Sequence, residues 1–582
     1  MELKKKLLPG LILLTTLGLA ACDGDDGANG TDGVDGVDGV NGADGIDGQN
    51  GEPGTGLTLI ELSVLGSYQS NIFDEGAAEI VAHDPANQRL FVINADNSTV
   101  DVLDVQDPEQ PTLLDTIDAS TEGASANSVA VYGDLVAVAI EADPKQDPGK
   151  VVFYNTTDLN KAGEVTVGAL PDMVTFTRDG TRVLVANEGE PSDGYSNDPV
   201  GSVSIIDLSN GVNNATVTTA GFDGFNGQAE QLKNDGLRIF GPGATLAQDM
   251  EPEYIAVSID DSKAWVALQE NNAVAELDIA AGEITAIIPL GFKDHSLLGN
   301  ELDASNKDDG INIRNWPVKG MYMPDSMVSY GYNEKTYYIT ANEGDSRDYD
   351  GFSEEFRIGD LTLDASAFPE AATLKQDSQL GRLNVTSTLG AGTTCDPSDP
   401  ANVALVDGEY DKGYVENNCV YSELYAYGAR SFSIWSEDGN RVFDSGSEFE
   451  RITASLIPDN FNGNNDDNSF DNRSDDKGPE PEAVEVGVIN GQTFAFIGLE
   501  RVGGIMVYNV TNPQNPTFVQ YINNRDFSVS DTQLEQGMAG DLAPEGMDFI
   551  SAENSPTGQP MLAVGNEVSG STTLYAIDVI EP

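Results

Sequence analysis

Acidic side chains recur at two fixed places in a repeated pattern of short strands. One set opens the first strand of the repeats: Glu79, Asp172, Glu253, Asp325, Glu482 and Glu545. A second set follows the second strand: Glu141, Glu188, Glu270, Glu343, Glu500 and Glu567. If equivalent positions converge around one axis, like charges there repel unless cations neutralise them. Calcium prefers carboxylate and carbonyl oxygen, so the pattern predicts a calcium site.

The candidate metal ligands are Glu188, Glu343, Asp345, Glu482 and Glu545. Taken one at a time, each acid is more simply explained as a strand-end residue on a solvated face, and only the recurrence favours a shared site. Arg347 and Lys477 lie near these acids and are candidates for contacting a phosphate group, with ordinary ion pairing as the alternative for each. No catalytic residue is assigned.

A second oxygen-rich segment covers residues 462–476. It contains Asn464, Asp466, Asp467, Asn468, Asp471, Asp475 and Asp476. The spacing does not match an EF-hand loop. A loop ordered by calcium and a disordered acidic loop are both compatible with this composition.

The elements that must position these acids are short strands rich in Val, Ile and aromatic residues, separated by turns such as Asp179-Gly180. This pattern predicts an all-β fold, and a repeat of about four strands is typical of a propeller blade. Eight candidate units begin near residues 78, 128, 171, 252, 324, 431, 481 and 544. We therefore predict a β-propeller of seven or eight blades. The last unit stops after its third strand, so residues 58–65 are expected to supply the missing strand and close the ring.

The chain divides into three parts. Residues 1–21 have the basic start and apolar run of a signal peptide, and they end in a Leu-Ala-Ala-Cys sequence that resembles a bacterial lipobox, which implies lipidation of Cys22. Residues 22–56 repeat glycine at every third position, which predicts a low-complexity stalk, either collagen-like or a flexible acidic spacer. Residues 57–582 form the predicted propeller, with insertions near 344–424 and 459–478.

The composition restricts the possible functions. The chain has 97 acidic and 29 basic side chains and a net charge of −68, so nucleic acid is an unsuitable partner, whereas divalent cations are attracted. Two histidines without metal-ligand spacing exclude a zinc site built on several imidazoles. Neither a Gly-x-Ser-x-Gly elbow nor a Walker A sequence occurs. Cys395 and Cys419 are expected to form a disulfide in an oxidising compartment, the alternative being two free thiols.

Several segments resemble the choice-of-anchor I family. The segments are 73–80 (FDEGAAEI), 145–152 (KQDPGKVV), 186–193 (ANEGEPSD), 342–348 (NEGDSRD) and 475–482 (DDKGPEPE). The resemblance extends from residue 59 to the end of the chain. It implies an extracellular propeller whose tether differs between members. Some relatives are labelled alkaline-phosphatase-like or phytase-like, and another resembles a mesenchyme-specific cell surface glycoprotein, so the resemblance implies no agreed catalytic residues.

Two functions remain open at this stage. The first is a lipid-anchored, non-catalytic binding module of the cell envelope, with structural calcium and an unknown extracellular ligand. The second is a calcium-dependent phosphoesterase, in which metal-bound water attacks a phosphoric monoester. In both, the partners are membrane lipid through Cys22 and divalent cations, and the location is outside the cytoplasm, in the periplasm or on the cell surface.

Overall fold

The computed structural model describes residues 58–392 and 395–580. Over these residues, seven four-stranded antiparallel sheets follow one another along the chain, and we call them blades 1 to 7. From the innermost strand outward, their strands are Val81–Asp84, Arg89–Asn94, Thr99–Asp104 and Thr112–Asp118 in blade 1; Ala126–Tyr132, Leu135–Ile140, Pro148–Asn155 and Lys161–Ala169 in blade 2; Pro171–Phe176, Arg182–Asn187, Ser202–Asp207 and Thr216–Gly221 in blade 3; Pro252–Val257, Lys263–Leu268, Ala273–Asp278 and Glu283–Pro289 in blade 4; Met327–Tyr332, Lys335–Asn342, Ser431–Ser436 and Arg441–Asp444 in blade 5; Pro481–Ile489, Gln492–Leu499, Ile505–Asn509 and Thr517–Ile522 in blade 6; and Pro544–Ile550, Met561–Asn566, Ser571–Ile580 and Leu59–Gln69 in blade 7.

The blades form a closed ring. The inner strand of each blade contacts the inner strand of the next, and the inner strand of blade 7 contacts that of blade 1. The inner strands therefore surround a central channel, and the prediction of an all-β propeller is confirmed.

The N-terminal strand closes the ring, as predicted. Leu59–Gln69 pairs antiparallel with Ser571–Ile580, from Leu59 opposite Ile580 to Gln69 opposite Ser571, with one register shift between Val64 and Gly66. The strand that comes first in the described chain thus completes the blade formed by the last strands.

The ring has seven blades rather than eight because one candidate unit is half of another. Ser431–Ser436 pairs with Lys335–Asn342, and Arg441–Asp444 forms the outer edge of the same sheet. The unit predicted near residue 431 is therefore the outer half of blade 5, which a long insertion separates from its inner half.

The local sequence explains the strands of a typical blade. In blade 3 the residues 183–186 are Val, Leu, Val and Ala, all fully buried between neighbouring blades. The turn before them places Gly180 at a φ of 68°, a conformation that a residue with a Cβ rarely adopts. The Asp179 carboxylate accepts a hydrogen bond from the Thr181 amide (2.9 Å) and fixes this turn.

Two excursions from blades 4 and 5 build a separate lobe. Its five-stranded sheet runs in the order Phe292–Asp294, Lys319–Met321, Tyr425–Ala426, Asn384–Thr386 and Glu355–Arg357. Asp348–Tyr349 pairs with Phe352–Ser353, and Leu405–Val406 pairs with Glu409–Tyr410. The lobe has its own apolar core, which includes Trp316, Phe356 and Tyr421. The predicted disulfide between Cys395 and Cys419 is confirmed and crosses this lobe.

Helices are short and lie in the connections. The α-helices span Ala229–Asn234, Leu246–Asp249, Ala371–Leu374, Gly413–Asn418, Glu448–Leu456 and Asp531–Leu534, and 3₁₀ turns span Val212–Asn214, Asp223–Gln228 and Pro458–Asn460. The predicted signal peptide, the lipidated Cys22 and the stalk of residues 22–56 lie outside the described residues.

Docking of the closing strand is expected to contribute measurably to stability. Leu62 on this strand is 2% exposed and packs in the core shared by blades 6 and 7. Leu62→Ala should lower the free energy of unfolding by about 3 kcal/mol, because it removes buried methyl groups and leaves a cavity. Urea denaturation measures the change. Val64→Ala on the same strand is the matched control, since Val64 is 42% exposed, and equal effects of the two substitutions would show that the strand is not docked.

Candidate functional site

The first set of acids lies at one structural position of the ring. In blades 3, 4, 6 and 7, the residue before the acid is a proline that pairs with the last residue of the second strand, and a register shift follows. In blade 2 the same register places Asn127 at this position, because Ala126 pairs with Ile140. Together with Glu79 of blade 1 and Asp325 of blade 5, the ring position holds six carboxylates and one amide among the described residues. We call it the inner ring.

The second set is positioned by a buried asparagine. Asn187, at the end of the second strand of blade 3, donates from its side-chain amide to the hydroxyl groups of Ser202 (3.2 Å) and Ser204 (3.0 Å) on the third strand. Asn342 and Asn566 make the corresponding hydrogen bonds to serines on the third strands of blades 5 and 7. In blades 3, 5 and 7 this anchor fixes the strand end, so the following glutamates, Glu188, Glu343 and Glu567, take equivalent places.

The strand pairing in blade 4 shows that the predicted position of one member of the second set is one residue too late. In blade 4, Leu268 pairs with Pro252 just as Asn187 pairs with Pro171 in blade 3. The residue equivalent to Glu188 is therefore Gln269 rather than Glu270. The Gln269 side-chain amide donates to the Glu343 carboxylate (3.0 Å), a contact that links blades 4 and 5.

A cavity of about 260 Å³ lies at the inner ring. Glu79, Asp172, Asp325 and Glu545 line it together with Asn127 and Tyr254. Carboxylates from blades 1, 3, 5 and 7 thus converge on one space, which is suited to a cation and hostile to an anion.

Three of these acids come close enough to share one ion. One carboxylate oxygen from each of Glu79, Glu545 and Glu567 lies within 4.8 Å of the others. Glu545 and Glu567 belong to blade 7 and Glu79 to blade 1, so we call the group the seam cluster. Among the described residues no ion pair reaches these three side chains, and the Glu545 Oε2 atom is shielded from solvent without a hydrogen-bond partner. When these acids are ionised, they therefore have no ion-pair partner within the described part of the chain, although the Arg501 guanidinium, from beyond ion-pair distance, partly offsets the rise that burial causes in the pKa of Glu567.

Burial and mutual repulsion hold protons on these acids. Burial, followed by the charges of Glu567 and Asp172, raises the pKa of Glu79 from 4.5 to about 8. The same causes raise the pKa of Glu545 well above its ordinary value, with Glu79 as the largest charged neighbour. Burial, together with Glu190 and Glu141, raises the pKa of Asp172 to about 7. A bound cation would remove this cost by replacing the protons.

A second acidic group is already neutralised by the protein. Oxygen atoms of Glu343, Glu480 and Glu500 also lie within 4.8 Å of one another. Lys477 pairs with Glu343 and with Glu480 (3.3 Å), and Arg501 pairs with Glu480 (3.1 Å) and Glu500 (3.0 Å). We call this group the compensated cluster.

The lowered pKa of Glu480 shows how strongly the basic side chains stabilise its ionised form. Arg473 adds a further ion pair to this carboxylate at 2.8 Å. Although burial alone would raise it, Lys477, Arg473 and Arg501 hold the pKa of Glu480 down to about 2. Burial still raises the pKa of Glu343 and of Glu500 despite their basic partners, so the compensated cluster is an internal ion network in which Glu480 is the most fully neutralised acid.

The predicted metal ligands fall into different surroundings. Glu545 belongs to the seam cluster, and Glu343 belongs to the compensated cluster. Glu482 lies on the inner ring with its Oε2 atom buried and unpartnered, and burial and Glu500 raise its pKa. Glu188 lies beside Glu190 and Asp172, and burial and these acids raise its pKa. The side chain of Asp345 is 56% exposed, 3.8 Å from the Lys477 amino group. Metal binding by these residues stays a prediction.

Both predicted phosphate-binding residues are engaged in buried ion pairs. Arg347 is 2% exposed; its guanidinium pairs with Asp249 and with Glu251 (2.9 Å) and stacks over the ring of Phe240. Lys477 pairs within the compensated cluster. A phosphate would have to displace carboxylates to reach either cation, and phosphate binding by them stays a prediction.

The sequence patterns did not single out three residues of the site: Asn127, Glu251 and Glu480. The signal for the two glutamates is a Glu-Pro-Glu sequence at 251–253 and again at 480–482, where only the second glutamate was considered. Asn127 is an amide in a position otherwise held by acids, so a search for carboxylates alone does not find it.

The channel beyond the inner ring contains a cavity of about 330 Å³, to which all the inner strands contribute. Its polar groups include Arg178, Glu485 and Asp548. The Asp548 carboxylate accepts a hydrogen bond from the His83 backbone amide (2.6 Å). Burial, with Asp548 as the next cause, raises the pKa of Glu485 to about 8. The interior of the channel is therefore less charged at neutral pH than its sequence implies.

Comparisons with known proteins find two relatives and a solved structure that are similar to this chain. Gigasin-3a of Magallana gigas is 29% identical over 214 residues, which are 35% of this chain and 67% of that protein. The mesenchyme-specific cell surface glycoprotein of Strongylocentrotus purpuratus is 26% identical over 338 residues, which are 52% of this chain but 41% of that protein. The β-propeller domain of Cps50 (Swd1) from Myceliophteria thermophila matches 89% of this chain and 100% of its own length, with 8% identity and a TM-score of 0.39.

In the described part of the chain, no helix is both long and apolar enough to span a membrane. The model of the choice-of-anchor I domain matches residues 79–513, which include most of the ring and the lobe. Membership of this family supports an extracellular or cell-surface location. The chain belongs to the choice-of-anchor I domain family.

Proposed function

We propose that the protein is a binding module outside the cytoplasm, whose propeller is stabilised by calcium in the seam cluster. The observation that carries the proposal is the approach of Glu79, Glu545 and Glu567 to within 4.8 Å, with no ion pair to any of the three among the described residues. Burial raises the pKa of Glu567 on balance, although the charge of Arg501 lowers it. Three carboxylates at this spacing match the oxygen ligands that calcium takes at 2.3–2.6 Å.

The chemistry of the ligands favours calcium over other metals. The seam cluster offers only carboxylate oxygen, whereas zinc sites are usually built with histidine or cysteine. Magnesium retains several of its waters and is seldom held by an all-protein cage. The location between blades 7 and 1 supports a structural role, because an ion there would join the two ends of the ring.

The surroundings support binding rather than phosphoryl transfer. Stabilising a phosphoryl group in its transition state calls for cations aimed at its oxygens. Arg347 and Lys477, the predicted candidates, both pair with buried carboxylates. The mouth of the channel is lined by acids, which repel a phosphoester unless several cations intervene.

The attachment to the cell envelope rests on the leader. Its basic start, apolar run and lipobox-like end support export and lipidation of Cys22. Residues 22–56 would then separate the anchor from the ring. The partners proposed are membrane lipid through Cys22, calcium, and an extracellular ligand whose identity is open.

Calcium is expected to stabilise the folded chain without conferring phosphatase activity. At a hundredfold excess over its dissociation constant, one bound ion adds about 2.7 kcal/mol to the free energy of unfolding. Thermal denaturation with calcium and with chelator measures this, alongside assays of p-nitrophenyl phosphate and phytate hydrolysis. Hydrolysis that chelator abolishes would replace the binding module with the phosphoesterase.

Substitution in the seam cluster is expected to remove the calcium effect. Glu567→Gln should abolish most of the calcium-induced rise in melting temperature, because it removes one of the three charged ligands. Glu75→Gln is the control, since Glu75 is a nearby exposed acid. If Glu567→Gln retains the full calcium-induced rise, the ion binds elsewhere and the seam cluster is not the site.

Without calcium, stability is expected to fall as pH rises. Glu79 has a pKa of about 8 in the folded chain against an ordinary value of 4.5. Between these values the folded state binds more protons than the unfolded state, so the free energy of unfolding decreases with rising pH. In chelator, Glu79→Gln should therefore melt higher than the unsubstituted chain at pH 8, with the difference shrinking toward pH 5. A difference that does not depend on pH would contradict this account.

Lipidation is expected to decide where the protein is found. Cys22→Ser should move the protein from the membrane fraction to the soluble fraction outside the cytoplasm, because it removes the thiol that accepts the lipid. Cell fractionation with labelled fatty acid measures both location and modification. Label incorporated into the Cys22→Ser protein would place the anchor at another residue.

A further inference from the structure

Two buried carboxylates outside the inner ring belong to separate loops, and the charge of Asp303 acts on Asp471. Asp303 belongs to the excursion between blades 4 and 5, and Asp471 belongs to the segment 459–478 before blade 6. They are 1% and 3% exposed. Burial and the charges of Glu450 and Asp308 raise the pKa of Asp303, and burial and the charges of Asp303, Asp308 and Glu450 raise the pKa of Asp471. These four acids form one group. The group joins two segments that have no strand pairing with one another.

The hydrogen bonds to these two carboxylates come from neutral donors. Asp303 accepts from the backbone amides of Ser305 (3.3 Å) and Asn312. Asp471 accepts from the hydroxyl group of Ser474. Among the described residues, no lysine or arginine forms an ion pair with either Asp303 or Asp471.

The Arg430 guanidinium, which lies in the same network, is already engaged by other groups. The Arg430 guanidinium pairs with Glu450 at 2.6 Å. Its remaining hydrogen bonds go to backbone carbonyls, namely those of Asp303 (2.6 Å), Ser474 (2.8 Å) and Asp476 (2.6 Å). Arg430 therefore balances Glu450 and leaves the charges of Asp303 and Asp471 unbalanced.

An orphaned amide oxygen lies in the same network. Asn462 is fully buried, and its amide nitrogen donates to the Glu450 carboxylate (3.1 Å) and to Ser474 Oγ (2.8 Å), the hydroxyl that also bonds Asp471. Glu450 Oε1, engaged with Arg430, is an acceptor, which fixes the orientation of the amide. The Asn462 Oδ1 atom has no partner. A buried carbonyl oxygen without a partner costs about 1–3 kcal/mol, so it points to a missing positive ligand.

The group is accessible from solvent on one side. A cavity of about 470 Å³ is lined by Asp308 and Asn312, and Asn312 donates from its side chain to Asp308 (3.1 Å) and from its backbone to Asp303. Lys307 and Asp309 also line the cavity, and the hydrogen bond from Asn312 connects it to the buried Asp303 carboxylate.

We propose that Asp303, Asp471 and the Asn462 side-chain oxygen bind a calcium ion, with Asp308 at the entrance. The ligand set is entirely oxygen and combines carboxylates with an amide carbonyl, as calcium prefers. The ion fastens the lobe excursion to the 459–478 segment and so fixes both on the propeller. This site, which we call the lobe site, shares no residue with the seam cluster, and its existence is independent of the proposed function.

A proton is the alternative occupant. Burial raises the pKa of Asp471 to about 8 and that of Asp303 to about 7. A protonated Asp471 would also provide a donor for the orphaned amide oxygen. The two occupants differ in one respect that an experiment can measure, because only the metal site responds to added cation.

Terbium luminescence tests the lobe site directly. The Trp316 indole donates to the carbonyl oxygen of Leu302 (3.1 Å), the residue before Asp303, so a Tb³⁺ ion at the site lies near this tryptophan. The full chain carrying Cys22→Ser is titrated with Tb³⁺, and tryptophan is excited. Sensitised emission that calcium displaces is expected, and Asp471→Asn should weaken Tb³⁺ binding about tenfold or more, in the range found when support of a metal site is removed.

The controls separate this site from other acids. Asp309→Asn, an exposed acid of the entrance loop, and Glu567→Gln in the seam cluster should both leave the sensitised emission unchanged. If Glu567→Gln alone removes the emission, the seam cluster binds the ion and the lobe site does not. If Asp471→Asn and Asp309→Asn weaken binding equally, the loop attracts cations without specific ligands and the proposal is overturned.

A second variant guards against a folding defect. Asn462→Asp keeps the size of the side chain and makes the orphaned oxygen part of a charged carboxylate, at the cost of the amide donor to Glu450 and Ser474 Oγ. It should tighten Tb³⁺ binding severalfold while lowering the melting temperature in chelator. Unchanged or weaker Tb³⁺ binding in Asn462→Asp, with circular dichroism like that of the unsubstituted chain, overturns the proposal.

Discussion

The repulsion among carboxylates gathered around one axis is the constraint on which the rest of the structure depends. Radial repetition places an acid from most blades at the same height of the channel, and burial there makes each charge costly. The chain meets this cost in different ways around the ring. Blade 2 substitutes an amide at Asn127, blade 4 substitutes Gln269 in the second set, and the side facing blades 5 and 6 supplies Lys477, Arg473 and Arg501. Among the described residues, no ion pair reaches the acids between blades 7 and 1, and Arg501 acts on Glu567 only from beyond ion-pair distance, which is why we propose the ion there.

The insertions take part in the same electrostatic balance. Lys477 and Arg473 belong to the segment before blade 6, and their carboxylate partners lie at the channel. Arg347 extends from the insertion of blade 5 to Asp249 and Glu251, which precede blade 4. The lobe is therefore joined to the propeller by buried ion pairs as well as by apolar packing. Removing one partner of such a pair would leave a buried charge uncompensated, which is strongly destabilising.

Much of the fold follows from local patterns that each blade repeats. The proline and acid that begin the inner strands, the Asn-Glu sequence after the second strand and the missing strand of the last unit all lie within single blades, so the sequence predicts them directly. The blade count was open because the insertion between Asn342 and Ser431 interrupts the spacing of blade 5 and makes its outer strands resemble a separate unit. The basic partners of the acids could not be predicted from the sequence in the same way. Lys477 and Glu343 are separated by 134 positions in the chain, and no repeat period relates them. Only the folded structure shows which acids are neutralised and which are not.

The pairing of Leu59–Gln69 with Ser571–Ile580 has a consequence for the order of assembly. The earliest described strand to leave the ribosome is partnered by the latest, so six sheets can be complete while the seventh still presents an open edge. Contacts of such high sequence separation form slowly, because the entropy of closing a long loop is lost before the contact rewards it. Until that moment the nascent chain carries two unpaired strand edges, which invite pairing with other molecules. Closure of the ring is thus expected to be a late step in folding, during which both edges are exposed.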